Sequence, residues 1–260
     1  MGVLYAILII TGIGLVAGLI LAIASKFMAV PVDQKVAKIR ETLPGANCGA
    51  CGFSGCDGYA AAIAAGEAAP NLCTPGGQTT ADDLSKILGV EIKSEKKVAF
   101  VRCNHGIDKA KLDFGYSGAQ SCAAASLLYG GQYECKFACL GFGDCAKACE
   151  YGAISLEDGS AKVNREICIA CGKCATVCPK GIIDIIPAAN SYSVACSNTE
   201  KGAVSRKKCE AACIGCMKCV KVCEAEAISV KNNLASIDFS KCTSCGKCAE
   251  VCPDKCIVLL

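Results

Sequence analysis

The stretch that decides the fold is Cys168-Ile-Ala-Cys171-Gly-Lys-Cys174-Ala-Thr-Val-Cys178-Pro179, and a second run of the same spacing follows at Cys242-Thr-Ser-Cys245-Gly-Lys-Cys248-Ala-Glu-Val-Cys252-Pro253. The chain has 25 cysteines among 260 residues. A disulfide scaffold is one explanation of that density, but disulfide-rich domains are short, and disulfide pairing does not require spacings that recur at a fixed period. The spacing C-x2-C-x2-C-x3-C-P is typical of 4Fe-4S clusters bound by thiolates. The sequence therefore predicts a protein that transfers single electrons.

Both runs belong to a larger repeat with a period of 74 residues. Nine cysteines of residues 117–190 have counterparts 74 positions later, in residues 191–260, and those of the first copy are Cys122, Cys135, Cys139, Cys145, Cys149, Cys168, Cys171, Cys174 and Cys178. Each copy also contains two short alternating segments around a turn, which predict one β-hairpin per copy, at residues 153–164 and 227–238. The sequence therefore predicts two tandem units of one fold.

The N-terminus predicts a membrane anchor over residues 1–26. Residues 3–24 carry no charge and are long enough to cross a bilayer as one helix, and the basic residues Lys26, Lys35, Lys38 and Arg40 follow. A cleaved signal peptide is the alternative, but a basic N-terminal region is missing and the apolar stretch is too long. We therefore expect a single-pass protein of the cell (inner) membrane, anchored in the lipid bilayer, with residues 27–42 as a linker and the remaining domains on the cytoplasmic side.

Residues 43–80 predict a separate small helical domain around Cys48, Cys51, Cys56 and Cys73. Glycines stand beside the first three of these cysteines, and glycine lets backbone amides approach the cluster sulfurs. A zinc site is the alternative, but C-x2-C-x4-C with the fourth cysteine 17 residues later fits zinc ribbons poorly. An alanine-rich helix after Cys56 would bring Cys73 back to the other three. We therefore expect one 4Fe-4S cluster in this domain.

Residues 81–116 are expected to be a connecting segment. Thr80 is a candidate cap for a helix that runs through Leu88 to Gly89, and residues 97–103 alternate weakly like a strand. His105, the only histidine of the chain, is expected in an exposed loop, because nothing in the sequence pairs with it. We find neither a dinucleotide fingerprint nor a P-loop, and the apolar segment lacks the polar groups of an ion path. The sequence therefore predicts no complete active site in this chain alone. We also expect no nucleic-acid binding, because each oxidised 4Fe-4S centre with four thiolates carries about two negative charges and several of them would make the protein acidic despite its formal charge of +3.

Two resemblances to known families imply which cysteines bind each cluster. Residues 43–56, Leu-Pro-Gly-Ala-Asn-Cys-Gly-Ala-Cys-Gly-Phe-Ser-Gly-Cys, closely resemble the single-cluster domain in the B subunit of Rnf complexes, and each repeat copy resembles a bacterial two-cluster ferredoxin. In such ferredoxins the fourth cysteine of each run binds the other cluster. The resemblance therefore implies four sets: Cys149, Cys168, Cys171 and Cys174; Cys135, Cys139, Cys145 and Cys178; Cys213, Cys216, Cys219 and Cys252; and Cys223, Cys242, Cys245 and Cys248. Cys135 enters its set as a replacement, because Phe142 stands at the position that matches Cys216.

Five clusters, including the one at Cys48, Cys51, Cys56 and Cys73, leave five thiols unassigned: Cys103, Cys122, Cys196, Cys209 and Cys256. Free cysteines are often small buried hydrophobic residues, and this is the interpretation that we favour for them. The alternative is that Cys103, Cys122, Cys196 and Cys209 gather into a further metal site or serve as an alternate ligand set.

The order of parts resembles the family of Rnf complex B subunits across essentially the whole chain: one transmembrane helix, a helical single-cluster domain and two ferredoxin-like units in an α+β fold. The resemblance implies a role in which electrons from soluble reduced ferredoxin pass through about five 4Fe-4S clusters to other membrane and flavin-bearing subunits. That complex reduces NAD and translocates Na+ or H+. Lysines of the second unit can attract an acidic ferredoxin. The alternatives are an electron-transfer polyferredoxin subunit of another membrane-bound reductase or hydrogenase, and a cluster carrier or redox sensor.

Overall fold

The N-terminal helix stands apart from the rest of the molecule. The computed structural model describes residues 2–27 and 33–260, and α1 (Gly2–Phe27) is the first element. Its segment Ile7–Ala24 has a mean hydropathy of 2.8, and none of that segment is buried against the remainder of the described protein. A helix of this length and composition can cross a bilayer. Residues 28–32 of the expected linker lie outside the described residues.

Three helices build the domain that contains Cys48: α2 (Gln34–Thr42), α3 (Cys56–Ala65) and α4 (Gly77–Leu88). Their apolar faces share one core, in which Ile39 and Leu84 are fully buried. Gly66 and Gly89 end α3 and α4 in the left-handed conformation that glycine adopts without strain. α2, within the expected linker, and the part of α4 within the expected connecting segment thus pack into this core. Thr80 is not a cap, because α4 already begins at Gly77.

The first unit combines two short antiparallel sheets with short helical turns. Its elements are β1 (Lys97–Val101), α5 (Gly106–Lys109), α6 (Cys122–Leu127), α7 (Asp144–Lys147), β2 (Ile154–Glu157), β3 (Ser160–Val163), α8 (Lys173–Val177) and β4 (Ile183–Pro187). β1 pairs with β4, with Val98 opposite Ile186, and β2 pairs with β3 as the predicted hairpin. β1 confirms the predicted strand. The unit therefore begins before residue 117, inside the expected connecting segment.

The second unit repeats the order of strands but has two helices before its hairpin where the first unit has three. Its elements are β5 (Tyr192–Val194), α9 (Gly202–Lys208), α10 (Lys218–Lys221), β6 (Ile228–Lys231), β7 (Leu234–Ile237), α11 (Lys247–Glu250) and β8 (Ile257–Leu259). β5 pairs with β8, and β6 pairs with β7, which confirms the second hairpin. Individual hydrogen bonds recur as well: Asn164 N–H donates to Ala153 O at 2.8 Å, and Asp238 N–H donates to Ala227 O at 2.7 Å. The described fold is thus α+β, with two units that share one topology.

Residues between β1 and α7 hold the two units together. Ala110 forms a β-bridge with Cys209, and Tyr133 lies in the same buried core as Val194 of the second unit. His105 belongs to this region and is only 1% exposed. Its Nε2 lies 2.9 Å from Cys139 O, and its ring packs on Tyr133 with 4.8 Å between centroids. The expectation of an exposed loop histidine is therefore wrong, because His105 bonds to a carbonyl 34 residues away in sequence.

Candidate iron–sulfur sites

The structure brings together the four cysteines of the N-terminal domain, which we call the Cys48 site (Cys48, Cys51, Cys56 and Cys73). Burial raises the pKa of the Cys73 thiol, and the charges of Cys56, Cys48 and Cys51 raise it further. Asn47 shapes the loop, because its Oδ1 accepts the Cys56 N–H at 2.8 Å. Tyr59 of α3 holds the segment that leads to Cys73: its hydroxyl donates to Ala69 O at 2.8 Å and accepts the Leu72 N–H at 3.0 Å. α3 therefore returns Cys73 to the loop, as the sequence predicted.

The Cys168 site (Cys149, Cys168, Cys171 and Cys174) is a pocket between the hairpin and the cysteine run of the first unit. Backbone N–H groups point at two of its sulfurs: Ala99 donates to Cys168 Sγ and Ala153 donates to Cys149 Sγ, both at 3.3 Å. Burial raises the pKa of Cys174 to about 11, together with the charges of Cys168, Cys171 and Cys149. All four predicted thiols thus line one cavity.

The equivalent cavity of the second unit is the Cys242 site (Cys223, Cys242, Cys245 and Cys248). Ala227 N–H donates to Cys223 Sγ at 3.3 Å, which repeats the bond from Ala153 in the first unit. Ser244 N–H donates to Cys242 Sγ at 3.4 Å. The thiol of Cys245 is exposed, so this cavity opens toward solvent.

The Cys213 site (Cys213, Cys216, Cys219 and Cys252) lies at the other end of the second unit. Burial raises the pKa of Cys219 to about 11, and the charges of Cys213, Cys216 and Cys252 contribute. Cys256 also lines this cavity, with its sulfur 3.5 Å from Cys252 Sγ. Hydrogen bonding to Cys256 lowers the pKa of Cys213, and it lowers that of Cys252 to about 6. Cys256 is therefore placed as an S–H donor to sulfurs of this site.

The fourth cavity of the two units differs from the sequence prediction. We call it the Cys139 site, and its lining thiols are Cys122, Cys139, Cys145 and Cys178. Burial raises the pKa of Cys145 to about 12, and the charges of Cys139, Cys122 and Cys178 add to the rise. The structure does not bring Cys135 into this cavity. The Cys135 sulfur lies beside Asn198 instead, 3.5 Å from its Nδ2.

Helix α6 explains why Cys122 reaches this cavity. The Asp144 carboxylate, next to Cys145, accepts hydrogen bonds from Ser121 Oγ at 2.9 Å and from Ala123 N–H at 3.0 Å. Burial acts to raise the pKa of Asp144, but these hydrogen bonds outweigh it and the pKa is lowered. The carboxylate thus fixes the first turn of α6, which begins at Cys122, against α7. Sequence reasoning assigned Cys122 to none of the five cluster sets and named it only in the alternative of a further metal site or an alternate ligand set. Ser121 as a helix cap was the local signal for α6.

These cavities fit iron–sulfur clusters better than single metal ions. Within residues 2–27 and 33–260, no three cysteine, histidine or acidic groups converge closely enough to hold one metal ion. A four-iron cluster needs its four thiolates further apart, around a volume several atoms wide. Backbone N–H groups also donate to cysteine sulfurs, at two positions each in the Cys168 and Cys242 sites. Such N–H···S bonds stabilise bound thiolates and set cluster potentials.

Two family models match parts of the chain. A family model described as "Putative Fe-S cluster" matches residues 43–75, and one described as "4Fe-4S dicluster domain" matches residues 135–182 and 212–256. The first match contains the whole Cys48 site. The second matches each unit once.

Similar proteins share most of the chain's length. The B subunit of the Na(+)-translocating ferredoxin:NAD(+) oxidoreductase complex of Acetobacterium woodii is 44% identical over 98% of this chain and 78% of its own length. The B subunit of the proton-translocating ferredoxin:NAD(+) oxidoreductase complex of Clostridium ljungdahlii is 43% identical over 92% of this chain and 86% of its own. The B subunit of an ion-translocating oxidoreductase complex of Methanosarcina acetivorans is 39% identical, with 98% and 97% covered. With its cysteine sites and apolar N-terminal helix, the chain therefore belongs to the B-subunit family of ion-translocating (Rnf) oxidoreductase complexes, as an iron–sulfur electron-transfer protein.

Proposed function

We propose that this chain carries electrons from a soluble ferredoxin to other membrane and flavin-bearing subunits through about five 4Fe-4S clusters. The observation that carries the proposal is the contact between the Cys48 domain and the first unit. Thr74 Oγ1, next to Cys73, donates to Ala170 O at 3.1 Å, and Ala170 lies between Cys168 and Cys171. This bond brings the Cys48 site beside the Cys168 site, as transfer between neighbouring centres requires.

Five sets of thiols are the ligands that we propose. They are the Cys48 site (Cys48, Cys51, Cys56, Cys73), the Cys168 site (Cys149, Cys168, Cys171, Cys174), the Cys139 site (Cys122, Cys139, Cys145, Cys178), the Cys213 site (Cys213, Cys216, Cys219, Cys252) and the Cys242 site (Cys223, Cys242, Cys245, Cys248). Cys122 replaces Cys135 in the third set because it lines that cavity. When bound, a 4Fe-4S cluster accepts and releases one electron. The chain's own residues would hold each cluster, and backbone N–H groups point at sulfurs of the Cys168 and Cys242 sites.

Electrons enter at the second unit in this proposal, because ligands come to the surface there. Cys216 and Cys245 are exposed, and Met217 beside Cys216 is 49% exposed. Lys218 is exposed on the helical turn α10, which also carries Lys221. An acidic ferredoxin would meet both lysines close to the exposed Cys216 sulfur. Not every lysine of this unit is equally available, because Lys208 is paired with Glu200 and Lys247 with Glu224.

We base the proposed partners at the membrane on the N-terminal anchor and on the names of two relatives. Two of those names specify a ferredoxin:NAD(+) oxidoreductase, one Na(+)-translocating and the other proton-translocating. For this chain we propose the same reaction class, with NAD reduction and movement of Na+ or H+ in the other subunits. The basic residues after α1 favour a cytoplasmic position of the cluster domains.

Charge reversal on α10 tests the proposed entry point. The full-length chain, purified without oxygen in detergent, is mixed with reduced ferredoxin, and the rate of electron uptake is followed by the loss of visible absorbance. We expect Lys218→Glu with Lys221→Glu to slow uptake by about tenfold at low ionic strength, and the difference to shrink as salt screens the charges. Lys86→Glu with Lys93→Glu, on the Cys48 domain, is the matched control and leaves the rate unchanged. Equal rates for both variants overturn the entry point, and a wild-type chain that ferredoxin cannot reduce overturns the proposed donor.

A further inference from the structure

Four cysteines outside the five proposed sets lie where the two units meet: Cys103, Cys135, Cys196 and Cys209. The fold relates two of them directly. Cys103 follows the end of β1 by two residues, as Cys196 follows the end of β5. The same hydrogen bond recurs at both: Cys139 N–H donates to Cys103 Sγ at 3.3 Å, and Cys213 N–H donates to Cys196 Sγ at 3.3 Å. The structural equivalent of Cys196 is therefore Cys103, although the 74-residue register pairs Cys196 with Cys122. That register pairs the remaining two, Cys135 and Cys209, with each other.

Asn198 and Cys135 join the two pairs into one group. Asn198 Nδ2 donates to Cys135 Sγ at 3.5 Å, and Asn198 N–H donates to Cys196 Sγ at 3.4 Å. Burial raises the pKa of the Cys103, Cys196 and Cys209 thiols, and the charge of Cys135 raises the pKa of all three further. Geometry agrees: Cys135, Cys196 and Cys209 are buried in one core, and Cys103 packs against it.

The surroundings suit a negatively charged group. The charge of Lys208 acts to lower the pKa of Cys135, and that of Lys109 acts to lower the pKa of Cys209, against the larger effect of burial. Small buried thiols can also serve simply as apolar core residues. Apolar filling does not require backbone N–H groups aimed at sulfur, however, and the bonds at Cys103 and Cys196 match those at Cys149 and Cys168 in length.

We infer that Cys103, Cys135, Cys196 and Cys209 bind a sixth 4Fe-4S cluster, at what we call the interunit site. The inference rests on the proposed function, because it uses the same ligand chemistry. Its position gives it a role. Cys139 and Cys213, which donate to its sulfurs, belong to the Cys139 site on one side and the Cys213 site on the other. A one-electron carrier held here connects the pair of sites in the first unit with the pair in the second.

Iron counting tests the interunit site. Iron, acid-labile sulfide and zinc are measured per chain on the full-length protein, purified anaerobically in detergent. We expect about 24 iron atoms in the wild type, from six four-iron clusters, in place of about 20 from five. Cys209→Ser and Cys103→Ser, one from each pair, should each lose about four iron atoms. The double variant should also lose about four, because both residues hold one cluster.

Ser193→Ala is the control, since Ser193 is a buried residue of β5 outside all six sets and outside their cavities, and it keeps the full iron content. A wild-type content of about 20 iron atoms, or one zinc ion per chain, overturns the interunit site and leaves the five proposed sets standing. Losses that add to about eight in the double variant overturn it as well. Should a variant fail to fold, it loses all its iron, and the wild-type count then decides. A wild-type content far below 20 contradicts the proposed function itself.

Discussion

The hydrogen bond from Cys256 is predicted to raise the reduction potential of the Cys213 site. Cys256 lies 3.5 Å from Cys252 Sγ, whereas Ile182 stands at the matching position beside Cys178 in the Cys139 site. A donor to a ligand sulfur stabilises the more negative, reduced state, and its removal therefore lowers the potential. Cys256→Ala should lower the potential of the Cys213 site alone.

The size of the shift follows from the charge change. A hydrogen bond to a charged group contributes about 1.5 kcal/mol at the weak end of the range, which suits an S–H donor. Reduction takes the cluster with its ligands from about two to about three negative charges, so roughly half of that energy, about 0.7 kcal/mol, distinguishes the two states. For one electron this corresponds to about 30 mV, because about 59 mV equals a factor of ten. Potentiometric titration followed by EPR resolves such a shift.

Two further variants serve as controls for this prediction. Cys256→Ser keeps a hydroxyl donor and should not lower the potential, while Ile182→Cys adds a donor to the Cys139 site and should raise its potential by a similar amount. The reasoning is refuted if Cys256→Ala leaves the potential unchanged or raises it, or if Cys256→Ser behaves like Cys256→Ala.

Three other outcomes are expected. Cys122→Ser should remove about four iron atoms per chain, measured by iron analysis, because Cys122 completes the Cys139 site. An unchanged iron content would contradict Cys122 as a ligand of that site. His105→Phe leaves the buried Cys139 carbonyl without its partner, at a cost of about 1–3 kcal/mol, and should release iron faster in denaturant than the wild type; equal rates would contradict this. Cluster assembly into the folded apoprotein should accelerate between about pH 7 and pH 9, because the pKa of Cys145 is raised to about 12 and that of Cys174 to about 11, and thiolates, which bind iron, increase with pH. Visible absorbance follows assembly, and a rate that falls with pH would show that thiol deprotonation is not limiting.

Short-range patterns carried most of the correct predictions. The hairpins of both units follow from alternation around a turn, and the cysteine run of the Cys168 site follows from spacing, because neighbours in sequence are neighbours in space there. Helix α3 was predictable from its alanines for the same reason. What these features share is that a few consecutive residues determine them.

Long-range contacts account for what the sequence did not reveal. Cys122 reaches its cavity because Asp144, 22 residues later, fixes α6, and no spacing rule describes such a contact. His105 is buried because its partner is the Cys139 carbonyl. The 74-residue register made Cys122 the counterpart of Cys196. In the structure the counterpart is Cys103, because Cys103 and Cys196 each follow the first strand of their unit by two residues. Which thiols are equivalent is therefore decided by topology, and the number of residues between them is a poor guide.

The first unit has Phe142 at the position where the second unit has Cys216, and this difference predicts that the two units differ in their sensitivity to oxidation. Phe142 packs edge-on against Tyr116, with 5.4 Å between ring centroids, and Cys122, Cys139 and Cys145 of the Cys139 site are all buried. Cys216 and Cys245 of the second unit are exposed, and oxidation of cysteine follows exposure. Oxidants therefore attack the second unit first. We expect damage to begin at the surface where the proposed donor docks, and the Cys139 site, with three of its four thiols buried, to outlast it.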